Sequence, residues 1–353
     1  MIPAVQIVRV EALKPGMQLA RAVYSAEGQV LLSAGVILKD VYIHRLRALG
    51  FPAVYIGDPL AASDLTEAIS ETTRYRAIGV LQESFTSVKF GGTLHLEPIS
   101  DVVNSMIDEM TLNRDVAVHL TDIRRHDDYT FGHSVNVCML SLMVGMALEF
   151  DQLKLRELAM GAILHDVGKI KTPDAILLKA TRLNALEWDE MKRHTRHGFD
   201  VLRVATELPA RVAHVAYQHH ERLNGSGYPR GLEDGGIHMF ARIVAVADTY
   251  DAMTSDRVYR RGVTPCTALQ VIDGLRSRQF DPEVVDAFMT SVVPYPPGCR
   301  VELGTGEVGL VVDNRESRRL VVEIESDDTE PSAEEYREID LMQYPDKHIV
   351  RIV

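Results

Sequence analysis

Between residues 116 and 295 the apolar positions recur every three or four residues, the repeat of helices that bury one face. Leu155, Leu158 and Ala162 lead to His165 in such steps, and Val212, Val215 and Ala216 lead to His219. Ile243–Ala247 is an almost continuous apolar run that stops just before Asp248. The uncharged stretch Val137–Leu148 predicts a buried core helix and is too short to span a bilayer. Either side of this segment the pattern changes. In residues 1–58, Val5–Val10 predicts a strand, and turn signals at Pro15-Gly16 and Glu27-Gly28 bracket a second and a third. Asp40 is placed to cap a helix running to Leu49, and Val54–Ile56 predicts a closing strand. Residues 59–115 are more polar, with Leu65, Ile69, Val102, Met106 and Met110 at helical spacing, and predict a helical connector that is flexible around Gly91-Gly92. Tyr295–Gly298 ends the helical pattern. Short strands are expected near Arg300–Leu303, Val308–Val312 and Leu320–Ile324, with an exposed acidic loop over 326–335. The expected architecture is mainly α: a small N-terminal α+β module (1–58), a helical connector (59–115), a helical bundle (116–295) and a C-terminal β extension (296–353).

A formal charge of -12 argues against a general basic surface for long nucleic acid, so a phosphate ligand needs local cations or metal ions. Three widely spaced cysteines, Cys138, Cys266 and Cys299, with no CxxC, do not suggest a disulfide framework. No signal peptide or membrane span is read, and a cytoplasmic location is expected.

The bundle segment carries His133, His165-Asp166, His194, His219-His220 and Asp248, with 25 to 32 residues between successive groups. That is one helix and its connection, so an antiparallel bundle returns each group to one level of the core. A lone histidine on an apolar stripe is usually a hydrogen-bonded core residue, and a lone aspartate is often a cap. Five histidines and two aspartates at this spacing are hard to read as independent accidents. An ionised carboxylate on a core-facing stripe is costly unless paired or bound to metal. Imidazoles mixed with carboxylates suit manganese, iron or zinc. Asp166 has two oxygens and so could bridge two ions while His165 binds one.

The local motifs are more specific. His165-Asp166-Val167-Gly168-Lys169 resembles the HD-x-G-K core of the HD phosphohydrolase superfamily. His219-His220-Glu221-Arg222 followed by Gly225-Ser226-Gly227-Tyr228-Pro229 resembles the stretch that defines the HD-GYP family. Tyr129-Thr130, His133-Ser134, the pair His194 and Gly198, and Asp248 with Tyr250-Asp251-Ala252 fall at the family's separations. The likeness covers roughly residues 100–295, and both flanking segments resemble common appendages of the family.

The resemblance implies an HD-type helical catalytic domain and a bacterial signalling enzyme that hydrolyses the cyclic dinucleotide c-di-GMP to 5′-pGpG, in some members onward to GMP. It implies two or three iron or manganese ions. His133, His165, Asp166 and Asp248 would hold one, and His194, His219 and His220 a second, with Asp166 bridging and a water or hydroxide between the ions attacking phosphorus. Lys169 would hold a phosphate oxygen and, with Asp166, form the catalytic pair. Arg257, Arg260 and Tyr228 would contact the ligand, and Glu221 would orient a ligand histidine. There are two departures. Tyr129 stands where some members carry a glutamate that helps hold a third metal, which argues for two ions. Asn224 replaces an aspartate before the GSGYP run. Two further readings stay open: an HD phosphohydrolase acting on another nucleotide, and a non-catalytic c-di-GMP receptor that signals to protein partners. A homodimer is compatible with either.

Overall fold

The computed structural model describes residues 5–24, 30–49, 51, 53–59, 68–113, 129–179, 181–255, 262–263, 265–292, 300–313, 321–324, 337–344 and 347–352. Their backbone contacts separate the chain into two compact units: one takes in Met1–Ala68 and Val292–Val353, the other Ile69–Arg114 and Asp128–Ser291.

In the first unit, β1 (Val5–Arg9) pairs antiparallel with β4 (Ala53–Gly57), and β2 (Val23–Tyr24) with β3 (Val30–Leu32). Helix α1 (Asp40–Ala48) supplies Ile43 and Leu46 to a small core with Leu13, Leu19, Leu38, Phe51 and Val54. The helix begins one residue earlier than the sequence suggests. Lys39 occupies the cap position, and Asp40 lies in the first turn, where its charge suits the helix dipole. The C-terminal strands form an antiparallel sheet ordered β8-β7-β6-β5-β9, from β5 (Arg300–Leu303), β6 (Val308–Asp313), β7 (Val321–Ile324), β8 (Arg337–Asp340) and β9 (Ile349–Ile352). The last two strands are additional to the three expected. The acidic loop expected over 326–335 lies outside the described residues.

The second unit is all helical. Its axis is α4 (Tyr129–Ala147), in which Val135, Val137, Cys138, Leu140, Leu142 and Val144 are all fully buried. A helix apolar on every side must be surrounded. Around it pack α2 (Glu71–Lys89), α5 (Gln152–Ile163), α10 (Met239–Thr254) and α12 (Pro282–Ser291). Residues expected as a connector contribute α2 and α3 (Leu96–Leu112), and Ile99, Val102, Val103 and Met106 of α3 are buried in the same unit as the histidine-bearing helices. Ser70 caps α2, its hydroxyl accepting from the Thr73 N–H at 3.2 Å. Asp151 caps α5, accepting from the Lys154 N–H at 2.8 Å. After α5 come a 3-10 turn (Val167–Lys171), α6 (Asp174–Leu177), α7 (Ala185–Lys192), α8 (His194–Leu202) and α9 (Ala210–Gln218). Asn184 and Glu187 form a reciprocal capping box at the start of α7. Helix α11 (Pro265–Gly274) follows α10. Among the described residues no helix is long and apolar enough to cross a membrane.

Because Met106 is fully buried, Met106→Ala is expected to destabilise the helical unit by about 2–5 kcal/mol in denaturant unfolding. A loss under about 0.5 kcal/mol would mean that α3 is not part of that core.

Candidate metal centre

Helix α5 ends at Ile163, and His165 and Asp166 follow in the turn that leads into the 3-10 segment. The backbone of α8 can lie against this turn because residue 168 is glycine. A Cβ there would overlap the His194 carbonyl oxygen and crowd the Gly198 N–H. The glycine of the HD-x-G-K stretch therefore lets the start of α8 lie directly on the turn, and this brings His194 alongside Asp166. Helix α9 carries His219 and His220 to its C-terminal end, α4 supplies His133 from its second turn, and α10 supplies Asp248.

These elements bring the other six expected ligand side chains around the Asp166 carboxylate, which is 1% exposed. Its Oδ2 lies 3.3 Å from His165 Nε2 and 3.7 Å from His133 Nε2. Its Oδ1 lies 3.5 Å from His194 Nε2 and 3.9 Å from His219 Nε2. Asp248 bridges the two sides: Oδ1 is 3.1 Å from His133 Nε2, and Oδ2 is 3.7 Å from His220 Nδ1. Potential ligand atoms of His133, His165 and Asp166 lie within 4.8 Å of one another, as do those of His194, His219 and His220.

The far side of each inner ring is anchored. His165 Nδ1 donates to the Ala162 carbonyl at 2.7 Å, His194 Nδ1 to Met191 at 2.7 Å, and His219 Nδ1 to Ala216 at 3.1 Å. His133 Nδ1 donates to Asp251 Oδ2 at 2.7 Å. With the proton fixed on Nδ1, the Nε2 lone pairs of His165, His194 and His219 are turned toward the centre, the arrangement that orients imidazole ligands on metals. Two of the central atoms, His165 Nε2 and Asp166 Oδ1, are buried without a hydrogen bond. An orphaned acceptor pair of this kind suits a cation.

The electrostatics agree. Burial alone would raise the Asp166 pKa, but Lys169, His165 and His194 outweigh it and hold the carboxyl well below its ordinary range. Burial likewise opposes ionisation of Asp248, and the hydrogen bond from His133 together with the charges of His220, His133 and His165 outweighs it, so this pKa also falls. His219 and His220 are pushed well below 6.5 by burial, and His194 to about 4, so all three are neutral at pH 7. His133 differs. Burial lowers its pKa, but hydrogen bonds to Asp248 and Asp251 prevail and lift it to about 9. The carboxylates that hold a proton on that ring would equally hold a divalent ion. Neutral imidazoles with ionised carboxylates and no thiolate fit manganese, iron or zinc. Cys138 is buried with its thiol donating to the Ala159 carbonyl at 3.6 Å.

Lys169 reaches back one 3-10 turn to pair with Asp166 Oδ2, its side chain 26% exposed. Tyr228 lies over His220, with ring centroids 4.6 Å apart, and Trp188 meets it edge-on at 6.1 Å. Burial pushes the Tyr228 phenol up, so it stays protonated. Gly227 is required where it stands, since a Cβ would run into the backbone of His220–Arg222. Arg257 and Arg260 lie outside the described residues, as does the side chain of Tyr129.

One expected role is corrected. Among the described residues the Glu221 carboxylate makes no hydrogen bond to a ligand histidine. Its buried carboxylate accepts the backbone N–H groups of Arg230 at 2.8 Å and Leu232 at 2.9 Å, and so holds the loop that carries Tyr228. Two residues without an assigned role belong to the site. Asp251 orients His133, and Asn136 donates to Asp251 Oδ1 at 2.8 Å. Their signal was positional: each stands three residues after a candidate ligand on the same helix, and therefore on the same face.

With this geometry in place, comparison with known proteins is informative. The profile of the HD domain matches residues 117–284. A Pseudomonas aeruginosa protein named cyclic di-GMP phosphodiesterase PA4108 is 31% identical over 291 residues, which cover 78% of this chain and 70% of that one. A Thermotoga maritima protein named cyclic di-GMP phosphodiesterase is 40% identical over 164 residues, 46% of this chain and 45% of its own. A Vibrio cholerae protein named 3′3′-cGAMP-specific phosphodiesterase 3 is 32% identical over 168 residues, 48% of this chain and 36% of its own. The chain thus spans less than half the length of these last two relatives. Among solved structures, Bd1817, a HDG"Y"P protein from Bdellovibrio bacteriovorus, superposes with a TM-score of 0.54 at 17% identity, covering 80% of this chain and 98% of that one, which is a likeness of fold. Similarity across most of the Pseudomonas protein, with the His165–Lys169 and His219–Pro229 stretches meeting at one buried centre, places this chain in the HD-GYP family of HD-domain proteins.

Proposed function

We propose that the chain is a metal-dependent phosphodiesterase that hydrolyses c-di-GMP to 5′-pGpG in the bacterial cytoplasm. The observation that carries the reading is the buried Asp166 carboxylate with two histidine Nε2 atoms facing each of its oxygens. The names of the Pseudomonas and Thermotoga relatives supply the substrate. In this reading His133, His165, Asp166 and Asp248 would hold one ion, and His194, His219 and His220, with Asp166, would hold a second. Iron or manganese fits the donors. Such ions, when bound, lower the pKa of water and polarise phosphoryl oxygens.

The chain's own groups do the rest. Lys169, partly exposed beside Asp166, is placed to meet a phosphate oxygen and offset charge that develops on it. In a protein of net charge -12 such a local cation matters for an anionic ligand. Tyr228 keeps its proton and can donate to a substrate oxygen, while its ring and that of Trp188, which is 47% exposed, offer apolar faces to a base. Arg257 and Arg260 are assigned to the ligand's phosphate or guanine on sequence grounds.

Asp166→Ala is expected to abolish turnover and lose bound metal in elemental analysis. Lys169→Ala should keep the metal and lose about 3 kcal/mol of transition-state stabilisation, on the order of 10²-fold in kcat. Normal turnover by Lys169→Ala would remove its assigned role. A tyrosine at position 129 in place of a carboxylate favours two ions over three, and the extra terminal phosphate of 5′-pGpG is poorly matched to an acidic chain with two ions. In a time course on metal-loaded protein, 5′-pGpG should therefore accumulate, with GMP slow to follow. GMP as the main product from the outset would contradict this. Run in parallel, 3′3′-cGAMP tests the specificity named for the Vibrio relative. Tight c-di-GMP binding with no product would favour a receptor.

A further inference from the structure

We propose that Arg74, on the first turn of α2, is a positioning residue for the His133 side of the metal centre. It acts through a chain of side-chain hydrogen bonds, and the inference rests on the metal-centre reading above. Arg74 Nη1 donates to Asn136 Oδ1 at 2.7 Å. Asn136 Nδ2 donates to Asp251 Oδ1 at 2.8 Å. Asp251 Oδ2 accepts from His133 Nδ1 at 2.7 Å, and His133 Nε2 then faces Asp248 at 3.1 Å and Asp166 at 3.7 Å. Asn136, Asp251 and His133 are all buried.

The chemistry of the members makes the chain directional. A guanidinium only donates and a carboxylate only accepts. The Asn136 amide between them can therefore satisfy both neighbours in one orientation alone, oxygen toward Arg74 and nitrogen toward Asp251. Without the cation the amide loses the partner that selects this orientation, and its flipped form sets oxygen against a carboxylate. The amide and His133 together fix Asp251, and Asp251 fixes the proton on His133 Nδ1, so that Nε2 is left to the metal. Outer partners of this kind set both ring orientation and ligand basicity.

Arg74 is itself held. Its second nitrogen lies 3.4 Å from Met139 Sδ, one helical turn beyond Asn136 on α4. The turn that carries it is pinned to α3: the Ser70 N–H and the Thr73 hydroxyl both donate to the Glu109 carboxylate at 2.5 Å. Arg74 precedes the stretch matched by the HD-domain profile, residues 117–284, so the chain of bonds ties a helix outside that stretch to the centre within it.

The test is calorimetric titration of the chelator-stripped chain with Mn²⁺ alone, on wild type, Arg74→Met, Arg74→Lys, Asn136→Ala and the Arg74→Met/Asn136→Ala pair, with thermal unfolding of each metal-free variant. We expect Arg74→Met to weaken one of the two sites by about 10- to 100-fold while the other changes less than about twofold. Arg74→Lys, still a donor, should recover most of the loss. The double variant should bind no worse than Asn136→Ala, because both act through one chain. Wild-type affinity at both sites in Arg74→Met would overturn the proposal, and so would additive losses in the double variant. If Arg74→Met does not fold, unchanged binding in Arg74→Ala, which also lacks a donor, overturns it equally. A wild-type chain that binds no manganese overturns the metal-centre reading and the proposal with it, whereas normal wild-type binding beside an unaltered Arg74 variant overturns the relay alone.

Discussion

The structure depends on keeping one carboxylate, Asp166, ionised in a place with almost no water. An unpaired charge there would cost several kcal/mol, and the surrounding sequence is arranged to meet that cost. Four imidazole Nε2 atoms face its two oxygens, and Lys169 returns to it from the following turn. Each imidazole is locked from behind by a backbone carbonyl or by Asp251. The site is consequently well ordered, with most of the Nε2 atoms that face its centre free of protons, and attractive to divalent cations.

The packing follows from the same requirement. Two helices and a turn can meet at one carboxylate only if backbones approach closely, which Gly168 and Gly198 permit. Gly227 lets the Tyr228 loop lie against the end of α9, and the buried Glu221 carboxylate ties that loop down through two backbone N–H groups. The family motif thus has separable parts: the His-Asp pair supplies donors, the glycines supply proximity, and Glu221 holds the loop that carries Tyr228.

Much of this was legible in the chain. The stripes leading to His165, His219 and Asp248 point into a core because helical periodicity dictates it, and the helix-length gaps between the histidines return them to one level. What escaped was what depends on tertiary contact. Glu221 was expected to orient a ligand histidine, but the chain turns there and the carboxylate faces the loop instead. Asn136 and Arg74 are ordinary helix residues in sequence, and only the meeting of α2, α4 and α10 makes them a chain leading to His133. Strands β8 and β9 went unread; β8 holds a single apolar residue, Ile339, and so shows no alternating pattern of its own.

The central claim is that two divalent ions share Asp166. Crystals of the chain grown with manganese and measured at a wavelength where manganese scatters anomalously test it directly. The account predicts two peaks per chain, one contacting His133, His165 and Asp248, the other His194, His219 and His220, with both on Asp166. A single peak, or a pair in which Asp166 touches only one ion, would contradict it.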